Sequence, residues 1–186
     1  MSSSSTYTPR EELTNALTHG IGAVLSVSGL VLMVVFSVMR GDVWHVTSTA
    51  VFGASLVALY TASTLYHSVD SPELKHLLRK FDHAAIFMLI AGSYTPFLLV
   101  TLRGTWGWSL FGVVWGLAVV GIGLKFWFAG RFRIISTLIY LTMGWLVLIA
   151  LKPLLLALPK TGLGWLIAGG ACYSFGTIFY LAKRLP

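Results

Sequence analysis

The chain has 186 residues with 13 Lys and Arg against 6 Asp and Glu, a formal charge of +7, yet 56% of it is hydrophobic and only 10% is charged. Soluble domains carry about 25% charged residues, and a mean hydropathy of +0.83 implies more apolar surface than so short a chain could bury in an aqueous core, so lipid is the expected solvent. A cytosolic globular enzyme is thereby excluded, as are disorder and, with Cys172 the single cysteine, a disulfide framework or a cysteine-based zinc finger. The positive residues cluster between apolar segments and form no basic run with interleaved aromatics. That is the pattern of orientation in a membrane, and no nucleic-acid partner is expected.

Residues 1–9 are rich in Ser and Thr and are expected to be disordered. Glu11 and Glu12 then precede an apolar segment too long for a cleavable signal, so that segment is expected to stay in the mature protein. Six apolar runs follow, at 17–39, 44–68, 81–101, 106–129, 134–158 and 163–182, each near the ~20 residues needed to cross a bilayer. Unpaired backbone is not tolerated in lipid, so the fold class is all-α, a polytopic transmembrane helix bundle. A short segment, 1–16, precedes the transmembrane domain, 17–186. Trp44, Trp106, Trp108 and Trp127 mark span ends, as an aromatic belt does.

With the N-terminus in the cytoplasm, Arg10, Lys75, Arg79, Lys80, Lys125, Arg131, Arg133, Lys183 and Arg184 lie inside, against Arg40, Arg103, Lys152 and Lys160 outside. This asymmetry predicts a multi-pass protein of the bacterial inner membrane with both ends of the chain cytoplasmic. In the second connection Ser71 can cap, Pro72 suits a first helical position, and Leu74, Leu77, Leu78 and Phe81 keep helical spacing. The expected outcome is either a short helix of its own in the interface or a solvated loop, with Lys75, Arg79 and Lys80 meeting lipid headgroups. Gly112 and Gly116 form a GxxxG, and Gly169, Gly170 and Gly176 thin the last span. These positions predict close packing inside the bundle, with a homo-oligomer face as the alternative. Pro96 predicts a kink, and Lys152 before Pro153 is expected to end its helix.

Ionisable groups in a span cost about 2.5 to 3.5 kcal/mol each on insertion scales, so their placement is informative. Asn15 and His19 are an i,i+4 pair, Ser63 and His67 another, and Asp82 with His83 opens the third span. All three places fall at the cytoplasmic edge of the membrane. Tyr60, Ser63 and His67 make one polar stripe expected to face the bundle. A neutral imidazole can bind zinc beside a carboxylate; equally, each histidine can be structural, reaching water at the interface. His45 and His76 are expected to sit solvated in connections.

Three signatures in order, the run from Glu11 through Asn15 and His19 to Gly22, then Ser63-Thr-Leu-Tyr-His67, then Phe81-Asp82-His83 with the later Ser93-Tyr94-Thr95-Pro96-Phe97, resemble the bacterial hemolysin III family. That family belongs with the progestin and adiponectin receptors in a group that also holds alkaline ceramidases. The resemblance implies a seven-helix bundle with a cytoplasmic-side zinc site, in which His67 is a ligand, Asp82 acts on zinc through water, and Glu12, Asn15, His19 and His83 support the site. The family's other two zinc histidines lie in a His-x-x-x-His on a seventh helix. No histidine follows His83 here and there are six apolar runs, so an incomplete zinc site and a missing seventh helix are expected.

The leading functional expectation is a zinc-dependent, hydrolase-like protein acting on a lipid amide or ester, with Ser63 donating to the developing oxyanion and Asp82 as base. A sensor of membrane state with structural zinc and a membrane-permeabilising cytolysin are the alternatives. A transporter lacks a polar pathway, since the outer halves of the spans carry almost no ionisable residues.

Overall fold

The computed structural model describes residues 7–127 and 133–181. Seven α-helices follow in order: α1 Pro9–Arg40, α2 Val43–Ser68, α3 Pro72–Pro96, α4 Thr105–Trp127, α5 Arg133–Trp145, α6 Leu151–Ala157 and α7 Lys160–Leu181. A π turn, Phe97–Thr101, extends α3, and a 3-10 turn, Leu146–Ala150, joins α5 to α6, so six segments are long and apolar enough to cross a membrane. The all-α expectation therefore holds, with no strand among the described residues.

α1 starts eight residues before its apolar run. Thr8 accepts from the Glu11 amide at 3.3 Å while Glu11 Oε2 accepts from the Thr8 amide at 2.6 Å, a reciprocal box that satisfies two first-turn donors ahead of Pro9. Thr8 and Pro9 are thus ordered, and residues 1–6 lie outside the described residues. Nor is the stretch after Ser71 a separate interfacial helix or a loop. It is continuous with the third span, because no glycine or proline interrupts the helical pattern between Glu73 and Ser93 except the compatible Gly92.

The core lies between the third, fourth and fifth spans, where Phe87, Leu98, Val114, Met143 and Leu154 are sealed from the outside and the Phe87 and Tyr140 rings meet at 4.3 Å. Over half of the most apolar stretch of the third span is buried, and none of that of the sixth. α2 closes on α3 where a Cβ on Gly92 would collide with Ser55, so only glycine permits this separation. Gly112, Gly116, Gly169, Gly170 and Gly176 meet nothing within 4 Å. The expected close packing at these five therefore does not occur, because their helix faces point away from the neighbouring spans.

Pro96 closes α3 and a π turn follows, the local rewinding that a missing amide donor allows. Gly104 then takes a φ of 134°, which an L side chain resists, and turns the chain into α4. Lys152 and Pro153 do not end a helix. They lie in the first turn of α6, where proline costs no hydrogen bond, and the discontinuity falls just before them, in the 3-10 turn. There the Tyr94 hydroxyl donates to the Gly144 carbonyl at 2.8 Å and accepts from the Val147 amide at 3.0 Å, replacing helical bonds with a side chain.

At the end of the bundle where α1 passes to α2, Asp42 Oδ1 accepts from the Trp44 and His45 amides at 3.0 and 3.1 Å and from His45 Nδ1 at 2.7 Å. His45 is thus a cap partner and not a loop histidine. Arg103, after the third span, reaches Asp42 Oδ2 at 3.3 Å and lies over the Trp44 ring. Trp44 in turn meets Trp108 edge-on at 5.6 Å.

Candidate functional site

The opposite end holds the polar residues singled out above. The capping box starts α1 early enough to put Glu12 and His19 on one face, seven residues and so two turns apart. That face meets the last turn of α2. His67 Nδ1 donates to Glu12 Oε2 at 2.6 Å, and Lys75, from the first turn of α3, donates to Glu12 Oε1 at 2.8 Å. The His67, Glu12 and Lys75 side chains are only 8%, 13% and 18% exposed, so the Glu12 carboxylate is held by its two partners and not by solvent. Lys75 also donates to the Val69 carbonyl at 3.2 Å and sits over the Tyr66 ring at 5.3 Å.

Rings complete the enclosure of His67. Tyr66 lies against it at 4.6 Å, Tyr7 at 5.6 Å and His19 at 5.8 Å, and His19 also meets Tyr60 at 5.8 Å. His19 Nδ1 is buried and has no hydrogen-bond partner among the described residues. Ser63 is 2% exposed, one turn before His67, and its hydroxyl makes no hydrogen bond to His67 or Asp82. Asn15 lies on α1 between Glu12 and His19, without a side-chain hydrogen bond to the site among the described residues.

Asp82 and His83 form a neighbouring group on α3. His83 Nδ1 donates to the Arg79 carbonyl at 2.7 Å and stands 3.6 Å from Asp82 Oδ2, while Tyr140 donates to the His83 carbonyl at 2.8 Å. His67 therefore meets both Glu12 and His19, whereas Ser63, Asn15 and the Asp82–His83 pair flank them. His76, expected in a connection, lies in α3. A cleft of about 710 Å³ opens beside Glu12 and His67, with Tyr7, Asp70, Lys75 and Arg79 on its walls.

Zinc ligation asks for three protein donors around one point. His67 has the form of such a donor, since a ligating imidazole usually gives its other N–H to a carboxylate, and the orphaned His19 Nδ1 is a second nitrogen close by. Among the described residues, however, no three His, Cys, Asp or Glu side chains converge to hold a metal ion. The residues present thus fit part of a zinc centre.

The match to known proteins decides the family. A family model described as haemolysin-III related covers residues 7–186. The chain belongs to that family. It is 48% identical over 180 residues to the Hemolysin-3 homolog of Bacillus subtilis (strain 168), covering 97% of this chain and 84% of the relative. To Hemolysin-3 of Bacillus cereus it is 47% identical over 177 residues, 95% of this chain and 81% of that one. The human Monocyte to macrophage differentiation factor is similar at 26% identity over 178 residues, 91% of this chain and 71% of the relative. That distant likeness supports placing this haemolysin-III related chain with the progestin and adiponectin receptors. No solved structure matches it.

What sequence reasoning missed is Lys75, read as a headgroup contact and found closed on Glu12 across 63 positions. The Thr-x-x-Glu of Thr8 and Glu11, just before an apolar run, was the available signal that α1 starts early enough to carry Glu12 there.

Proposed function

We propose that this haemolysin-III related protein is a hydrolase-like enzyme of the bacterial plasma membrane acting on a lipid amide or ester at the cytoplasmic face. The observation that carries the reading is the Glu12–His67 pair, a carboxylate-oriented imidazole enclosed beside a cleft at one end of the membrane-spanning helices. Glu12 holds the proton on Nδ1 and leaves Nε2 free. Asp82, early in α3, is the base that takes a proton from water as that water's oxygen bonds to the carbonyl carbon. Ser63 donates to the oxygen that gains charge, and the proton passes to the amine or alcohol as its bond to the carbonyl carbon breaks. Zinc is the proposed cofactor, which His67 would hold directly and Asp82 only through a water; bound, it would supply Lewis acidity to the lipid carbonyl.

The test is turnover of amide and ester lipids by the full chain in nanodiscs, with and without added zinc, alongside metal analysis. Turnover is expected, with Asp82→Asn reducing it about a hundredfold, the scale of general-base loss, while zinc content stays near that of the parent. Turnover that Asp82→Asn leaves unchanged would remove Asp82 from the chemistry. Bound zinc without turnover of any lipid would replace hydrolysis by a sensory role.

A further inference from the structure

Within the cleft beside His67, two charged side chains of opposite sign stand without an ion-pair partner among the described residues: Asp70, just before α3, and Arg79, two turns into it. Glu12 and Lys75 neutralise each other, so the two uncompensated charges of the lining are one carboxylate and one guanidinium. Asp70 and Arg79 line the same cleft; Pro72, two residues after Asp70, shares a helix face with Arg79 about 10 Å along the axis, a reach on the scale of an arginine side chain plus a phosphoethanolamine group. On the side of α1 the cleft is walled by Leu13 and Ala16, and Leu13 is exposed on a helix that crosses the membrane, so the opening is reached from lipid as well as from water.

The cleft also displays how it takes a primary ammonium. Lys75 Nζ is received by a carboxylate, a carbonyl and a tyrosine face at once. An anionic headgroup would leave Asp70 facing a like charge, and a quaternary ammonium has no N–H to give it.

We propose that this cleft binds the headgroup of phosphatidylethanolamine, its phosphate on Arg79 and its ammonium on Asp70. The proposal deepens the reading of the cleft as a lipid site and rests on that reading, but its test measures binding alone, so it survives or falls separately from hydrolysis.

The full chain, purified in mild detergent, is incubated with an equimolar mixture of dioleoyl phosphatidylethanolamine, phosphatidylglycerol and phosphatidylcholine, and the retained lipid is quantified by mass spectrometry. Phosphatidylethanolamine is expected at about threefold over each of the others, the factor one exposed ion pair supplies. Arg79→Gln is expected to lower retention of all three, and Asp70→Asn to bring phosphatidylethanolamine and phosphatidylglycerol to parity, with Lys160→Gln as a control that changes neither. Both test positions are exposed, and retained helical circular dichroism confirms that the variants fold. Equal retention of the three lipids by the parent, preference for phosphatidylglycerol, or unchanged selectivity in Asp70→Asn would overturn the proposal. So would competition by millimolar free phosphoethanolamine as effective as that by the lipid, which would make the ligand a soluble phosphate.

Discussion

Glu12 uses both carboxylate oxygens, one on His67 and one on Lys75, and so ties α1 to α2 and α3. Replacing it with Gln keeps the volume but leaves two partly buried cationic or donor groups short of a charge. Glu12→Gln is expected to cost about 2 to 3 kcal/mol, toward the range for breaking a buried pair; thermal unfolding in detergent measures it, and an unchanged midpoint would mean that the triad is held by its surroundings. At this scale the sequence was partly legible. That His19, His67, His83 and Asp82 share one end of the helices could be read, because ionisable groups in a span are costly enough to be rare and position along a helix follows from counting residues. Which groups touch could not be counted the same way: the Glu12–Lys75 contact depends on how α1 and α3 lie against each other, and Ser63, on the right face of α2, is buried one turn away without engaging His67.

Helix ends are the parts of each element that local chemistry decides. The Asp42 carboxyl is held down at about 2, chiefly by the hydrogen bond from the His45 side chain and then by the His45 amide, against a usual value of 3.8. A depressed carboxylate stabilises above its unfolded pKa, so the cap is complete above about pH 4 and is lost as pH falls through about 2. Hydrogen exchange of the Trp44 and His45 amides should therefore stay slow down to pH 3; protection lost near pH 4 would show that the cap does not hold the proton off. Within the fifth span the stabilising group is Tyr94, which occupies the gap in the backbone ladder between Gly144 and Val147. Tyr94→Phe strands both groups in a core that excludes water, at an expected cost of about 1 to 3 kcal/mol by unfolding. A neutral result would mean that the segment rewinds into a regular helix. Composition could not reveal this discontinuity, since Pro153 pointed to an end of the helix and the acceptor that repairs it lies 50 residues earlier.

Six crossings were legible from apolar run length alone, because lipid sets one thickness for every span. Their faces were not: five glycines expected to pack inside the bundle point out of it, since a small residue reads the same whether a neighbour or lipid lies beside it. The excess of Lys and Arg at the His67 end predicts that a periplasm-active reporter fused after Pro186 is silent, and activity there would reverse the orientation or the span count. Packing is also uneven across the molecule, dense around α3 and thin at α7, whose apolar stretch is nowhere buried and whose main neighbour is α5. With α5 as its main neighbour among the described residues, α7 has little buried surface to give up. In single-molecule pulling from the C-terminal side it should peel away as a separate, low-force event before the other five described spans yield, and a single cooperative rupture would show that it is packed as firmly as they are. The first three spans, pinned by Glu12 at one end and Asp42 at the other, should be the last of the described spans to yield.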